Sequence, residues 1–92
     1  MGKEIVLLRN KEKMSRQDAS ELLRTLADKI NTGKISLSSG DKNVELIIPD
    51  QVEIELKAEK EIGMKKTTKK LEIEIEWLVG GSSQNTGPLV IK

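Results

Sequence analysis

LEIEIEW, residues 71–77, alternates apolar and glutamate side chains without a break and ends at the only tryptophan of a chain that has no Phe and no Tyr. A period of two residues sends Leu71, Ile73, Ile75 and Trp77 to one side of an extended strand and Glu72, Glu74 and Glu76 to the other. The rhythm recurs upstream in KISLS (34–38), NVELIIP (43–49) and QVEIELKAEKEI (51–62), each bounded by Gly, Pro, Asp or Asn. Such boundaries read as turns between strands. Directly opposed residues must present the same face, so the alternation also sets a register. Centring the last hairpin on residues 63–66 pairs Val52 with Trp77, Ile54 with Ile75, Leu56 with Ile73 and Ala58 with Leu71, all facing a core. A turn at Pro49-Asp50 sets Ile48 beside Val52 and Leu46 beside Ile54, and one at Gly40-Asp41 sets Leu37 beside Val44 and Ile35 beside Leu46.

Before these strands the period changes. Ala19, Leu22, Leu23, Leu26, Ala27 and Ile30 recur at spacings of three and four, the signature of one helical face. Ser15 is placed to cap the free amides of the first turn, Asp18 completes a variant capping box, and Gly33 supplies the left-handed conformation that ends a helix. The expected helix runs over residues 16–31. Residues 5–9, within MGKEIVLLRN, read as a further strand. That apolar run is too short for a signal peptide or a membrane span, and Val6 stands where a myristoylation motif needs Ser or Thr. The expectation is a soluble, unlipidated cytoplasmic chain with no membrane association.

The fold expected is α+β in the order βαββββ: a five-stranded, mainly antiparallel sheet with one amphipathic helix packed on one face. Short connections favour antiparallel neighbours, and the place of the first strand in the sheet stays open. Ninety-two residues suit one domain, taken as residues 1–79. GGSSQNTGPLVIK, residues 80–92, reads as a flexible Gly/Ser-rich tail, with Leu89, Val90 and Ile91 as an alternative edge strand.

The outer face collects charge. The register aligns Ser36, Glu45, Glu55 and Glu74 across the strands, and likewise Ile47, Glu53 and Glu76. Nearer the last turn Lys57 falls opposite Glu72 and Glu59 opposite Lys70, while Lys60, Lys65, Lys66 and Lys69 gather at the tip. Like charges opposed on a sheet cost on the order of 0.2–1 kcal/mol per pair. A basic partner or a cation at Glu45, Glu55 and Glu74 would offset that, whereas the plain reading is a solvated face that discourages aggregation. No metal is expected, because no turn offers the closely spaced oxygen ligands of a calcium loop.

The lysines Lys60, Lys65, Lys66, Lys69 and Lys70 form a candidate phosphate or nucleic-acid contact. Single-strand binders interleave aromatic platforms with such groups, and this chain has one Trp, expected on the core face. Sixteen Lys and Arg against 15 Asp and Glu leave no overall field to gather a polyanion. The absence of Cys and His removes thiolate and imidazole chemistry and the usual zinc ligands. The remaining acids, lysines and hydroxyls converge nowhere, and GGSSQNTG lacks the Gly-Lys-Ser/Thr ending of a phosphate loop. No enzyme and no cofactor are expected.

MSRQDASELLRTLADKINTGKISL (14–37), VELIIPDQVEIELKAE (44–59) and KKLEIEIEW (69–77) together resemble the amphi-Trp domain family, named for an amphipathic final strand ending in tryptophan. Met14-Ser15-Arg16, Leu23-Arg24, Leu26-Ala27-Asp28, Gly33, Pro49 and Glu76-Trp77 carry the likeness in order and spacing. The resemblance implies a small prokaryotic protein of this fold and brings no activity or site residue with it.

Function is therefore expected from the surface. A helix is about 10 Å across, and five strands span about 20 Å, so one helix leaves part of the apolar face bare. The expected function is a noncatalytic module that self-associates, as a possible homodimer, or binds an unidentified protein. Trp77 would anchor the contact and Glu45, Glu55 and Glu74 would steer a basic partner.

Overall fold

The computed structural model describes residues 2–80. The tail over residues 81–92, with the alternative strand at Leu89, Val90 and Ile91, lies outside the described residues. Helix α1 (Arg16–Thr32) is followed by strands β1 (Lys34–Ser39), β2 (Lys42–Ile47), β3 (Glu53–Ile62) and β4 (Thr67–Glu76). The class is α+β. The chain divides into two compact units, Met1–Asp50 and Gln51–Lys92.

In the first unit the helix begins and ends where its caps dictate. The Ser15 side chain accepts a hydrogen bond from the Asp18 amide at 3.0 Å, and Gly33 adopts φ 86°, in the left-handed region. The Gly33 amide donates to the Ile30 carbonyl at 3.0 Å, satisfying an acceptor the helix leaves free. The chain then turns directly into the β1–β2 hairpin, whose register is the expected one: Ile35 opposite Leu46, Ser36 opposite Glu45, Leu37 opposite Val44. Burial alternates with it. Ile35 (6% exposed) and Ile48 (9%) are buried, Leu37, Val44 and Leu46 are half-buried, and Ser36, Glu45 and Ile47 are exposed. Helix α1 packs on β1, with Ala19, Leu26 and Ile30 half-buried while Leu22, Leu23 and Ala27 remain exposed.

In the second unit β3 and β4 form an antiparallel hairpin in the expected register, from Glu53 opposite Glu76 to Ile62 opposite Thr67. Its turn is closed by the Gly63 amide donating to the Lys66 carbonyl at 2.8 Å. A Cβ at Gly63 would lie 2.9 Å from that same oxygen, so only glycine fits this turn as built.

Two expectations are corrected. Among the described residues there is not one five-stranded sheet but four strands in two separate pairs, β1-β2 and β3-β4. Leu46 and Ile54, and Ile48 and Val52, are therefore not ladder neighbours. The amide of Ile48 donates to the Gly33 carbonyl at 2.8 Å, adding a last rung to the first hairpin, and Pro49 has no amide to offer. Pro49 cannot donate to a ladder, so the pairing of β2 ends there. Residues 5–9 form no strand either, and Ile5, Val6 and Leu7 are exposed. Their unalternating apolar run suits a strand covered on both faces, and a two-stranded ribbon provides no such cover. Asn10 Nδ2 donates to Ser39 Oγ at 3.1 Å, which ties this leading segment to the end of β1. No helix among the described residues is long and apolar enough to cross a membrane.

Candidate functional site

The β3–β4 hairpin carries most of the candidate residues and sorts them by face and by end. One face presents the rungs Ile54/Ile75, Leu56/Ile73 and Ala58/Leu71, three consecutive apolar pairs. Ile54, Leu56 and Leu71 are 62%, 67% and 71% exposed, and Ile75 is half-buried. The core position expected for these side chains is not what the structure displays, since a two-stranded ribbon covers only one side of each strand with backbone and leaves both faces open. Trp77 follows β4 directly, outside the ladder, and is half-buried; Val52, its expected partner, precedes β3 and is also outside it.

The opposite face is segregated along its length. At the open end Glu53 faces Glu76 and Glu55 faces Glu74, and these four carboxylates with Ile54 line an open concavity of about 440 Å³. The Glu76 carboxyl is held above the usual glutamate range, first by a hydrogen bond with Glu53, then by the charges of Glu74, Glu53 and Glu55. Midway the signs alternate. Lys70 Nζ lies 3.1 Å from Glu72 and 3.9 Å from Glu59, and Lys57 Nζ lies 3.6 Å from Glu59 and 4.0 Å from Glu72. The hydrogen bond and charge of Lys70 lower the Glu72 carboxyl, and Glu72 raises the Lys70 ammonium in return.

The candidate acidic row of Glu45, Glu55 and Glu74 is divided between the two sheets. Glu55 and Glu74 oppose each other, while Glu45 sits across from Ser36 and pairs with Lys34 at 3.1 Å. Among the described residues no group of three or more acids is arranged to hold a metal ion. The lysine cluster is split as well. Lys60 and Lys69 are opposed in the ladder on the same side as the apolar rungs, Lys65 and Lys66 lie in the turn, and Lys70 is engaged by Glu72 and Glu59 on the other face. Glu53 and Glu76 complete the acidic end and were not among the candidate residues. The signal for them was the register itself, which opposes them directly.

The chain belongs to the Amphi-Trp domain family. The family's model matches residues 1–92, so the likeness extends past the stretch from Met14 to Trp77 to the whole chain. No curated protein and no solved structure matches it. In this Amphi-Trp domain the amphipathic final strand is β4, and the tryptophan follows its last residue, Glu76.

Proposed function

We propose that this Amphi-Trp domain is a noncatalytic interaction module that binds protein through the apolar face of the β3–β4 hairpin. The observation that carries the reading is the run of three consecutive, largely exposed apolar rungs, Ile54/Ile75, Leu56/Ile73 and Ala58/Leu71, of which only Ile75 is half-buried. Contiguous exposed apolar surface of this kind marks interaction sites. Half-buried Trp77 borders the run and supplies an aromatic anchor. The carboxylates Glu53, Glu55, Glu74 and Glu76 on the reverse face favour a basic partner.

The test is face-specific capture. A photo-crosslinking side chain at Leu56 is expected to trap protein in native lysate, and the same group at Glu55, one residue away on the other face, is not. Equal capture from both positions, or none from Leu56, sinks the reading.

A second reading rests on Lys60 standing directly opposite Lys69, a like-charge pair that a bound phosphate would relieve. With Lys65 and Lys66 in the adjoining turn it supports an anion contact at the hairpin tip. Retention on heparin at low ionic strength, lost in K60E/K69E, is its expected result. No retention at low salt removes it.

A further inference from the structure

Among the described residues β3 and β4 form a sheet of two strands, so each carries one edge whose amides and carbonyls have no partner there. β4 is ten residues long and contains no proline. Its charges are polarised about Leu71: Lys66, in the turn just before the strand, and Lys69 and Lys70 precede it, and Glu72, Glu74 and Glu76 follow it. An antiparallel neighbour carrying the same sequence would bring the basic half of each strand against the acidic half of the other.

Face matching limits the registers. A register that opposes Leu71 to a glutamate would put the whole apolar face of one copy on the acidic side of the other, so the two-fold axis must pass between a residue and its own counterpart. Centred on Leu71, the pairing sets Lys70 opposite Glu72 of the second copy, Thr68 opposite its Glu74 and Lys66 opposite its Glu76. No like charges are directly opposed. Centred on Glu72, the next register in phase, that carboxylate meets itself. A parallel, in-register pairing sets every charge against its own kind. β3 is excluded on the same ground: centred on Lys57 it opposes Lys57 to itself, Glu55 to Glu59 and Glu53 to Glu61, and centred on Ala58 it opposes Glu55 to Glu61. A β3-to-β4 pairing between copies does not close on itself.

We propose that the chain forms a two-fold symmetric dimer in which β4 pairs antiparallel with β4 of a second copy about Leu71, giving a four-stranded sheet in the order β3-β4-β4-β3. The Glu76 carboxylate, crowded by Glu53, Glu74 and Glu55 in its own hairpin, gains a cation from Lys66 of the second copy. Leu71 meets Leu71 across the axis, so the apolar face runs on without a step from one hairpin to the next. The edge and its charges carry the dimer independently of any partner bound at the apolar face.

Sedimentation velocity on the full chain, from micromolar to millimolar at low ionic strength, is expected to show a monomer–dimer equilibrium that weakens as salt is added. K66E alone and E76K alone each oppose like charges twice across the axis and are expected to weaken the dimer by about tenfold or more. An equimolar mixture of the two is expected to restore it as a heterodimer. E76K is diagnostic, because in its own hairpin it replaces the Glu53/Glu76 opposition with an attractive pair while weakening the dimer. L56S, on the apolar face of β3, is expected to leave the dimer unchanged even if it abolishes capture at that face. Amide hydrogen exchange on the unmodified chain gives a measurement that needs no variant: the outward amides of β4 are expected to slow with rising protein concentration and those of β3 are not. A monomer at millimolar concentration and low salt, a dimer indifferent to both charge reversals, a mixture that stays monomeric, or protection that rises on β3 instead of β4 overturns the proposal.

Discussion

Glu76 and Glu72 lie on the same face of one strand, and their carboxyl pKa values are shifted in opposite directions. Glu53 hydrogen-bonds the Glu76 carboxyl, and the charges of Glu74, Glu53 and Glu55 add to the upward shift, so the folded hairpin holds that proton more tightly than the unfolded chain does. Glu76 therefore contributes stability in acid and loses it as pH rises through its elevated pKa. Glu72 is lowered by Lys70, and its contribution is present above the unfolded glutamate value and is lost as pH falls through the depressed one. Carboxyl NMR titration is expected to give Glu76 a midpoint above, and Glu72 a midpoint below, that of an exposed glutamate; E53Q is expected to bring Glu76 down toward the ordinary value. Coincident midpoints would mean that the register does not hold in solution. At the first unit's helix, Ser15→Ala removes the acceptor for the Asp18 amide and is expected to cost about 1 kcal/mol in urea unfolding. Gly33→Ala, at φ 86°, is expected to cost about 1–2 kcal/mol because a side chain in the left-handed region crowds the following carbonyl.

The elements differ in how much they bury, and that sets what a substitution does. Ile35 is buried on β1 beneath α1, so Ile35→Ala is expected to cost about 2–4 kcal/mol. Leu56 is two-thirds exposed on β3, and Leu56→Ala is expected to change stability by no more than about 0.5 kcal/mol. Denaturant titration of both variants checks the contrast, and an equally large loss at Leu56 would place that side chain in a core. The same difference explains what the sequence could reveal. Within each hairpin, alternation plus a short glycine-containing turn determines the register, and the rungs Ile35/Leu46 and Ile54/Ile75 were readable from the pattern alone. The helix was readable from its spacing and from Ser15 and Gly33 at its ends. Between β2 and β3 the pattern misled, because Leu46 and Ile54 have the right polarity to be neighbours whether or not their strands pair. The Ile48 amide is bonded to Gly33 and Pro49 has none to donate, so the ladder of β2 closes on the first hairpin, and polarity does not encode where a ladder ends. The acidic end of the candidate site was legible for Glu55 and Glu74, which share a rung, and not for Glu45, whose place beside them depended on that same unformed pairing.

For the molecule as a whole, a net charge of +1 conceals sharp segregation, and the response to salt depends on the segregation more than on the total. In the second unit the attractive contacts of Lys70 and Lys57 with Glu59 and Glu72 stand against the like-charge rungs Glu53/Glu76, Glu55/Glu74 and Lys60/Lys69. All are exposed, so added salt screens attraction and repulsion alike and the two losses offset. The melting temperature of the dilute chain is expected to move by less than about 4 °C between low and molar sodium chloride. The absence of histidine extends the same indifference to pH, leaving a plateau between about pH 6 and 8 where no side chain at its ordinary value titrates. Thermal melts over a grid of salt and pH check both statements at once. A marked rise with salt would mean that the like-charge rungs dominate the folded chain, and a marked fall would give that weight to the Lys70 and Lys57 pairs. Because the charges opposed across the proposed β4 dimer are all attractive, salt is expected to weaken it under conditions in which the melt of the isolated chain barely responds.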